Sequence, residues 1–482
     1  QLKSANLEQA KLTGNLIGAD FSVGRLAMAD LSGANLKDAL FHNADLRQAN
    51  FTSCNLYGAD FTGADVTGAS LQRANLRAAV FERAVEAMAG YGIPDSMVAR
   101  MKPWAVAVTL MTPPTQTGVV LDHVLYRKAL AEGKVAVDYS LHPAVMDPRP
   151  EVIEEVKKAC QDYGTPSFKI FMVYDFRVDD ATMIKLLEQT KQHGGLVQVH
   201  AENVHVIDYM NAVLEKEGKL EPYYHAVSRP NLAEEEAISR AAKMVEMSGS
   251  RIYIVHLSSK EGLWVVKKAR DRGVNIYAET CPQYLLLDEE RYKEPDWNGA
   301  KYVMSPPLRT KESNDALWEG LRGGDLQVVA TDHCPFDFNG KKDMNGKDDY
   351  KVIPNGAPGI ETLLIMLHSE GVAKGRITLE KMVDVLSSGT ARMFGLKDKG
   401  EIAVGKDADI VVFDPDQKFT VTQSKLHMNV DYTPFEGFEV TGMPRAVYAR
   451  GKKVSQWNGK QMDFVGEIGR GKFVKREPFE NF

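Results

Sequence analysis

SFKIFMVY, residues 167–174, sets one lysine, Lys169, in the middle of an apolar run of β-strand composition. An ammonium group buried without a partner is costly, so a lysine there must be neutralised, paired or chemically altered. Three later stretches share a related form, a short apolar strand with a metal-ligand type at its C-terminal end. LVQVH (196–200) closes on His200, IYIVH (252–256) closes on His256, and LQVVATDH (326–333) runs into Asp332. In a barrel of parallel strands, side chains at those ends converge on the face where active sites are built. Each ending alone has an ordinary reading: Lys169 as a structural ion pair, either histidine as a packed core residue, Asp332 as a helix cap ahead of Pro335. Together the four point to one catalytic or metal-binding cluster.

Outward from these stretches, strands alternate with helix-like segments, which predicts a parallel α/β architecture. Seven strands are expected, at 105–111, 134–141, 167–174, 196–200, 252–256, 275–279 and 326–331. The helical segments between them include EVIEEVKKAC, ATMIKLLEQTKQHG, NLAEEEAISRAAKMVEMSG and KEGLWVVKKARDRG, several closed by the glycine that favours a helix C-terminus. GIETLLIMLHSEG and LEKMVDVLSSGTARMFG read as further outer helices. After them, KGEIAVGKDADIVVFDPDQKFTVT and PRAVYARGKKV alternate as short strands and predict a small β-sandwich. The tail beyond Gln461, Gly-rich and charged, is expected to cross to a neighbouring subunit.

The N-terminal stretch has a different texture. From Ala19 the units ADFSV, GRLAM, ADLSG, ANLKD, ALFHN, ADLRQ and their successors keep a register of five, after an irregularity near residues 15–18 that drops one residue. A strict period of five matches neither helix nor flat strand and predicts a solenoid whose small and Leu/Phe positions stack inward. The A(D/N)LXX signature resembles the pentapeptide-repeat family, which implies a four-sided right-handed β-helix over residues 1–88 serving as a structural or protein-binding module. Those residues carry nine Asp and Glu against eight Lys and Arg, too balanced for acidic mimicry of DNA.

With 482 residues and 44% hydrophobic composition the chain is long enough for more than one core. A net charge of −6 gives no basic footprint for nucleic acid, and no apolar run reaches the length of a membrane span. Cys54, Cys160, Cys281 and Cys334 have no zinc-type spacing, consistent with free thiols in a cytoplasmic setting. The chain opens QLKSANLEQA, without Met or a leader pattern, so an incomplete N-terminus is expected.

SFKIFMVY, VQVHAEN, IYIVHLSS, ETCPQYLLLD, YVMSPPLR, ATDHCPF, IPNGAPGIET and GEIAVGKDADIVVFDP together resemble the dihydropyrimidinase and D-hydantoinase family of the amidohydrolase superfamily, from about residue 117 onward. The resemblance implies a (β/α)8 TIM-type barrel with a small β-sandwich, and hydrolysis of a dihydropyrimidine or 5-substituted hydantoin to an N-carbamoyl amino acid. It implies two divalent metal ions, zinc in most members, bridged by a carboxylated Lys169. His200 and His256 would hold one metal, and Asp332 the other while also moving protons. Tyr174 would donate to the oxyanion, and Ser305 and Asn355 would contact the ring amide. A homotetramer is implied as well. The expected divisions are 1–88 for the repeat, 89–117 for a junction, 118–396 for the barrel, and 397–482 for the sandwich part and tail.

One departure stands against this pattern. The family's first strand ends in a His-X-His pair that supplies two ligands, and none of the eleven histidines here stands in that spacing. Seven strands are also one short of a closed barrel. The expectation is therefore an incomplete barrel whose metal centre lacks two imidazoles, with a non-catalytic scaffold as the alternative.

Overall fold

The computed structural model describes residues 2–62, 64–66, 69–71, 74–75, 108–111, 120–146, 149–343 and 348–479. The expected junction (apart from Val108–Met111), the repeat units beyond Asn75 and the start of the 105–111 strand lie outside the described residues. The chain divides into two compact units, one holding the repeat and the other the residues from Val120 onward together with Val108–Met111.

In the repeat unit, parallel bridges join residues four repeats apart, from Asn15↔Asn35 and Asp20↔Leu40 through to Asn55↔Asn75. The period of five has a backbone cause. Val23, Met28, Asp38, Asn43, Gln48 and Ser53 all take φ between 53° and 61°, and glycine fills the same place at Gly18, Gly33 and Gly58. One left-handed residue per unit turns the chain through a corner, a conformation that glycine adopts without penalty and Asn or Asp with little. Phe21, Leu26, Leu31, Leu36, Phe41, Leu46, Phe51, Leu56 and Phe61 are all fully buried, with the alanines between them. Phe41 stacks between Phe21 and Phe61 at centroid distances of 5.0 and 4.7 Å. The first bridges, Asn6↔Arg25 and Lys11↔Asp30, span one residue fewer than the rest. The left-handed corners fall at Ser4, Gln9 and Gly14 and next at Gly18, so the four-residue unit is 15–18, where the irregularity is expected.

In the larger unit, seven parallel strands run in chain order. β1 (Val108–Met111) pairs with β2 (Tyr139–His142). β3 (Ser167–Phe171), β4 (Leu196–His200), β5 (Ile252–Ile254), β6 (Ile276–Thr280) and β7 (Val328–Val329) form one sheet. A parallel bridge between Ala144 and Lys169 joins the two groups. The helices between them include α1 (Val120–Ala131), α2 (Pro150–Gln161), α3 (Asp180–His193), α4 (Val204–Lys216), α5 (Asn231–Ser248), α6 (Lys260–Asp271) and α7 (Lys311–Gly323). Asp179 caps α3 by accepting the Thr182 amide at 2.7 Å, and Ser259 caps α6 through Gly262 at 3.1 Å.

Alternation along the strands separates two layers. Phe168, Ile170, Val197, Val199, Ile252, Ile254 and Ile276 pack outward against the helices in the main core. Lys169 in register with Gln198, and Gln198 with Tyr253, line the opposite face.

Past the barrel, β8 (Ile410–Thr420), β9 (Glu439–Ala449), β10 (Lys452–Trp457) and β11 (Met462–Phe464) make a single antiparallel sheet in the order β11-β10-β9-β8. The expected sandwich is thus one layer among the described residues. GEIAV (400–404) is not a strand, and its Ile402 and Val404 are 84% and 106% exposed. The tail, expected to reach a neighbouring subunit, lies along its own chain. The Tyr139 amide donates to the Lys472 carbonyl at 3.0 Å and the Val474 amide to the Tyr139 carbonyl at 2.7 Å. Arg476 donates to Ser140 Oγ and the Leu141 carbonyl. None of the described helices is long and apolar enough to cross a membrane.

Candidate active site at the strand ends

Lys169 sits in the middle of β3, 3% exposed, with its Nζ 4.8 Å from the Phe171 ring centroid. Burial pushes its ammonium down to about 8, opposed chiefly by the negative charges of Asp332 and Glu279. The two carboxyls thus favour its charged form across space against the cost of burial. Burial in turn pushes the Asp332 carboxyl up to about 6, opposed by Lys169, so the two groups hold each other in the charged form.

His200 ends β4 and His256 follows β5, and their rings meet edge to face at 4.5 Å between centroids. Tyr174, three residues beyond β3, lies 5.5 Å from the His200 ring. Burial lowers both imidazoles below the usual range, which keeps them neutral at pH 7. Burial raises the Tyr174 phenol to about 12, so it remains a donor.

Tyr174, His256 and Asp332 share a further property: their φ values are +74°, +43° and +46°. A non-glycine residue in that region costs on the order of 1–3 kcal/mol, and such strain gathers where surrounding structure fixes a functional side chain. In each case the chain turns sharply just after a strand, leaving the side chain at the strand mouth.

Ser305 and Asn355 join the same neighbourhood. Ser305 Oγ donates to Asn355 Oδ1 at 3.2 Å, and Ser305 lies near enough to Tyr174 to act on its phenol. Two of the three residues expected to touch substrate are thus linked by their side chains, with the third beside them.

The sequence-based reading missed two buried acids. Glu279 is one residue from the end of β6; burial raises it to about 7, against the Tyr253 hydrogen bond at 2.7 Å and the charge of Lys169. It was detectable as the acid closing NIYAE, the pattern that singled out His200 and His256. Glu202 accepts from His200 Nε2 at 2.6 Å and from Arg229 Nη1 at 2.8 Å. Burial opposes its ionisation, yet Arg229 and His200 outweigh burial and hold it well below the carboxylate range. Its second oxygen, Oε1, is buried without a partner, as is His256 Nδ1; such groups cost about 1–3 kcal/mol each.

The remaining histidines near the strands are engaged elsewhere. His333 Nδ1 accepts the Gly359 and Ile360 amides at 3.1 and 3.3 Å. His142 Nδ1 is bonded to Ser167 Oγ, and His205 lies exposed at the start of α4. Among the described residues, no three His, Cys, Asp or Glu side chains gather closely enough to hold a metal ion by themselves.

The model of the amidohydrolase family matches residues 62–454, and that of pentapeptide repeats matches three overlapping stretches within residues 1–68. The chain is 45% identical over 352 residues to a D-hydantoinase of Geobacillus stearothermophilus, covering 72% of this chain and 74% of that one. It is 44% identical over 354 residues to a D-hydantoinase of Ralstonia pickettii, covering 73% and 76%. Among solved structures, a dihydropyrimidinase from Brevibacillus agri superposes with a TM-score of 0.76 at 42% identity, covering 80% of this chain and 84% of that one. The parallel barrel strands and the small antiparallel sheet are therefore those of a hydantoinase-like fold of TIM-barrel type. This chain belongs to the amidohydrolase family.

Proposed function

We propose that this chain hydrolyses a cyclic amide, opening a hydantoin or dihydropyrimidine ring to an N-carbamoyl amino acid. The observation that carries this is the charge-coupled pair of Lys169 and Asp332 beside two neutral, touching imidazoles, each group delivered by a different barrel strand. The names of the relatives support the substrate class.

Asp332, ionised at neutral pH, takes a proton from water as the water oxygen bonds to the ring carbonyl carbon. Tyr174 donates its phenol hydrogen to the oxygen that gains charge. The ring C–N bond then breaks, and Asp332 returns the proton to the departing nitrogen. Ser305, hydrogen-bonded to Asn355 and beside Tyr174, presents its polar groups with theirs to the ring amide.

The side chains fit a divalent metal centre in kind. His200 is held through Nε2, which leaves Nδ1 open, His256 is neutral, and Lys169 is shifted toward the free amine that reacts with carbon dioxide. Lys169 as a carbamate, His200, His256 and Asp332 would be the ligands, and bound metal would supply polarisation of the carbonyl and a more acidic water. No His-X-His pair stands beside them, so the set suits one firmly held ion better than two. For the repeat, the twenty-residue step of its bridges supports the β-helix reading, and a right-handed β-helix over residues 1–88 serving as a structural or protein-binding module is part of the proposal. Boundaries near residues 118 and 397 and a homotetramer complete the proposal.

The test is product detection by mass spectrometry after incubating hydantoin and dihydrouracil with the full chain, zinc and bicarbonate. A product heavier than substrate by one water, absent with Asp332→Asn, is expected; no product from either ring overturns the reading.

A further inference from the structure

Glu202 is the most enclosed acid near the strand ends, 0% exposed, and nothing in the proposed chemistry uses it. Its Oε2 accepts two charged or polar donors at once, His200 Nε2 at 2.6 Å and Arg229 Nη1 at 2.8 Å. A carboxylate accepts only, so His200 must carry its hydrogen on Nε2 and keep its lone pair on Nδ1. Arg229 serves a second neighbour, with its guanidinium carbon 5.8 Å from the Tyr174 ring centroid. The arginine's own carbonyl accepts from Arg309 Nη1, and Arg309 Nε donates to Ser258 Oγ at 3.0 Å. Ser258 stands two residues beyond His256 and is tied to Glu234 by its amide and its hydroxyl, both at 2.9 Å. One buried network thus runs from the ring of His200 to the loop that carries His256.

We infer that Glu202 is a positioning residue for the proposed ring-opening reaction, fixing the tautomer and rotation of His200 and, through Arg229, the setting of Tyr174. The inference rests on the proposed function for its kinetic consequence alone; the tautomer is a property of the folded chain. A carboxylate behind a ligating histidine orients the ring and makes it a better donor, and loss of such a partner lowers activity or metal affinity by about tenfold to a hundredfold. A neutral amide in the same place keeps the volume but loses the charge that Arg229 and the imidazole both need.

The test compares the full-length chain with its Glu202→Gln and Glu202→Asp variants. Histidine-ring 15N NMR of the labelled proteins, with His200 assigned by loss of its signal in His200→Asn, reads the tautomer. The wild type is expected to show Nε2 protonated in a strong hydrogen bond. Glu202→Gln is expected to lose that signature with its circular dichroism unchanged, and Glu202→Asp to retain part of it. In turnover of hydantoin, Glu202→Gln is expected to lower kcat by at least about tenfold with KM within about twofold. An unchanged His200 tautomer in Glu202→Gln overturns the inference, as does an unchanged kcat in an active enzyme. If the wild type turns over no ring at all while the tautomer shifts as expected, the functional reading fails and the positioning role stands.

Discussion

The repeat unit and the strand-end cluster solve opposite problems with the same backbone. In the repeat, buried residues meet others of like size four units away, as Phe21, Phe41 and Phe61 do. In the cluster, Lys169 faces Asp332 and Glu279 from strands far along the chain, and each member's chemistry is set by its neighbours rather than by a repeat. The repeat is consequently tolerant in chemistry and demanding in volume, whereas the cluster is demanding in chemistry. Substitutions in the first should cost stability and spare turnover; those in the second should do the reverse.

The largest expected effect is Lys169→Met, which should abolish the zinc that the wild type retains, about one ion per chain after loading with bicarbonate and removal of excess. Elemental analysis checks it, and two retained ions in the wild type would mean that further ligands exist. Asp332→Asn should lower kcat/KM by about 10² to 10⁴, the usual share of a general base. The same carboxyl sets a pH dependence. Since it titrates near 6, wild-type kcat/KM should fall as pH drops below about 6. Its folded value lies above the ordinary 3.8, so the native state binds that proton more tightly than the unfolded chain does. Stability from this group is then lost as pH rises from about 4 through 6, and Asp332→Asn should melt higher than wild type at pH 7. A lower melting point would show that its pairing with Lys169 dominates.

On the other side of the comparison, Phe41→Ala should destabilise the repeat by about 3–5 kcal/mol, read by denaturant melts, with turnover unchanged within about twofold. The smallest effect is expected for Asn55→Ala. It breaks the amide ladder in which Asn75 donates to Asn55 at 3.0 Å and Asn55 to Asn35 at 2.9 Å, at about 1 kcal/mol. If either substitution altered ring opening, the separation between the two regions would be wrong.

The comparison also explains what could be read without coordinates. The repeat declared its core, and its one four-residue unit at 15–18, because its period is local. SFKIFMVY and the two VH endings were legible because a charged or ligating group at the end of an apolar strand is anomalous in itself. Glu279 escaped because an acid at a strand end is common on surfaces, and only the facing Lys169 makes it unusual. Glu202 escaped because its partner Arg229 is fixed by the fold and by no spacing. GEIAV alternates like a strand, yet nothing among the described residues covers its apolar face.

The segment that lies along β2 carries a consequence for synthesis on the ribosome. Lys472 bonds back to Asp138, 334 residues earlier, and its neighbours complete the hydrogen bonding of Tyr139. At about 5–20 residues per second, β2 waits roughly 20–70 seconds for that partner to emerge. A nascent chain that already possesses most of the barrel therefore still exposes one edge of it to chaperones, and to other nascent chains on the same messenger.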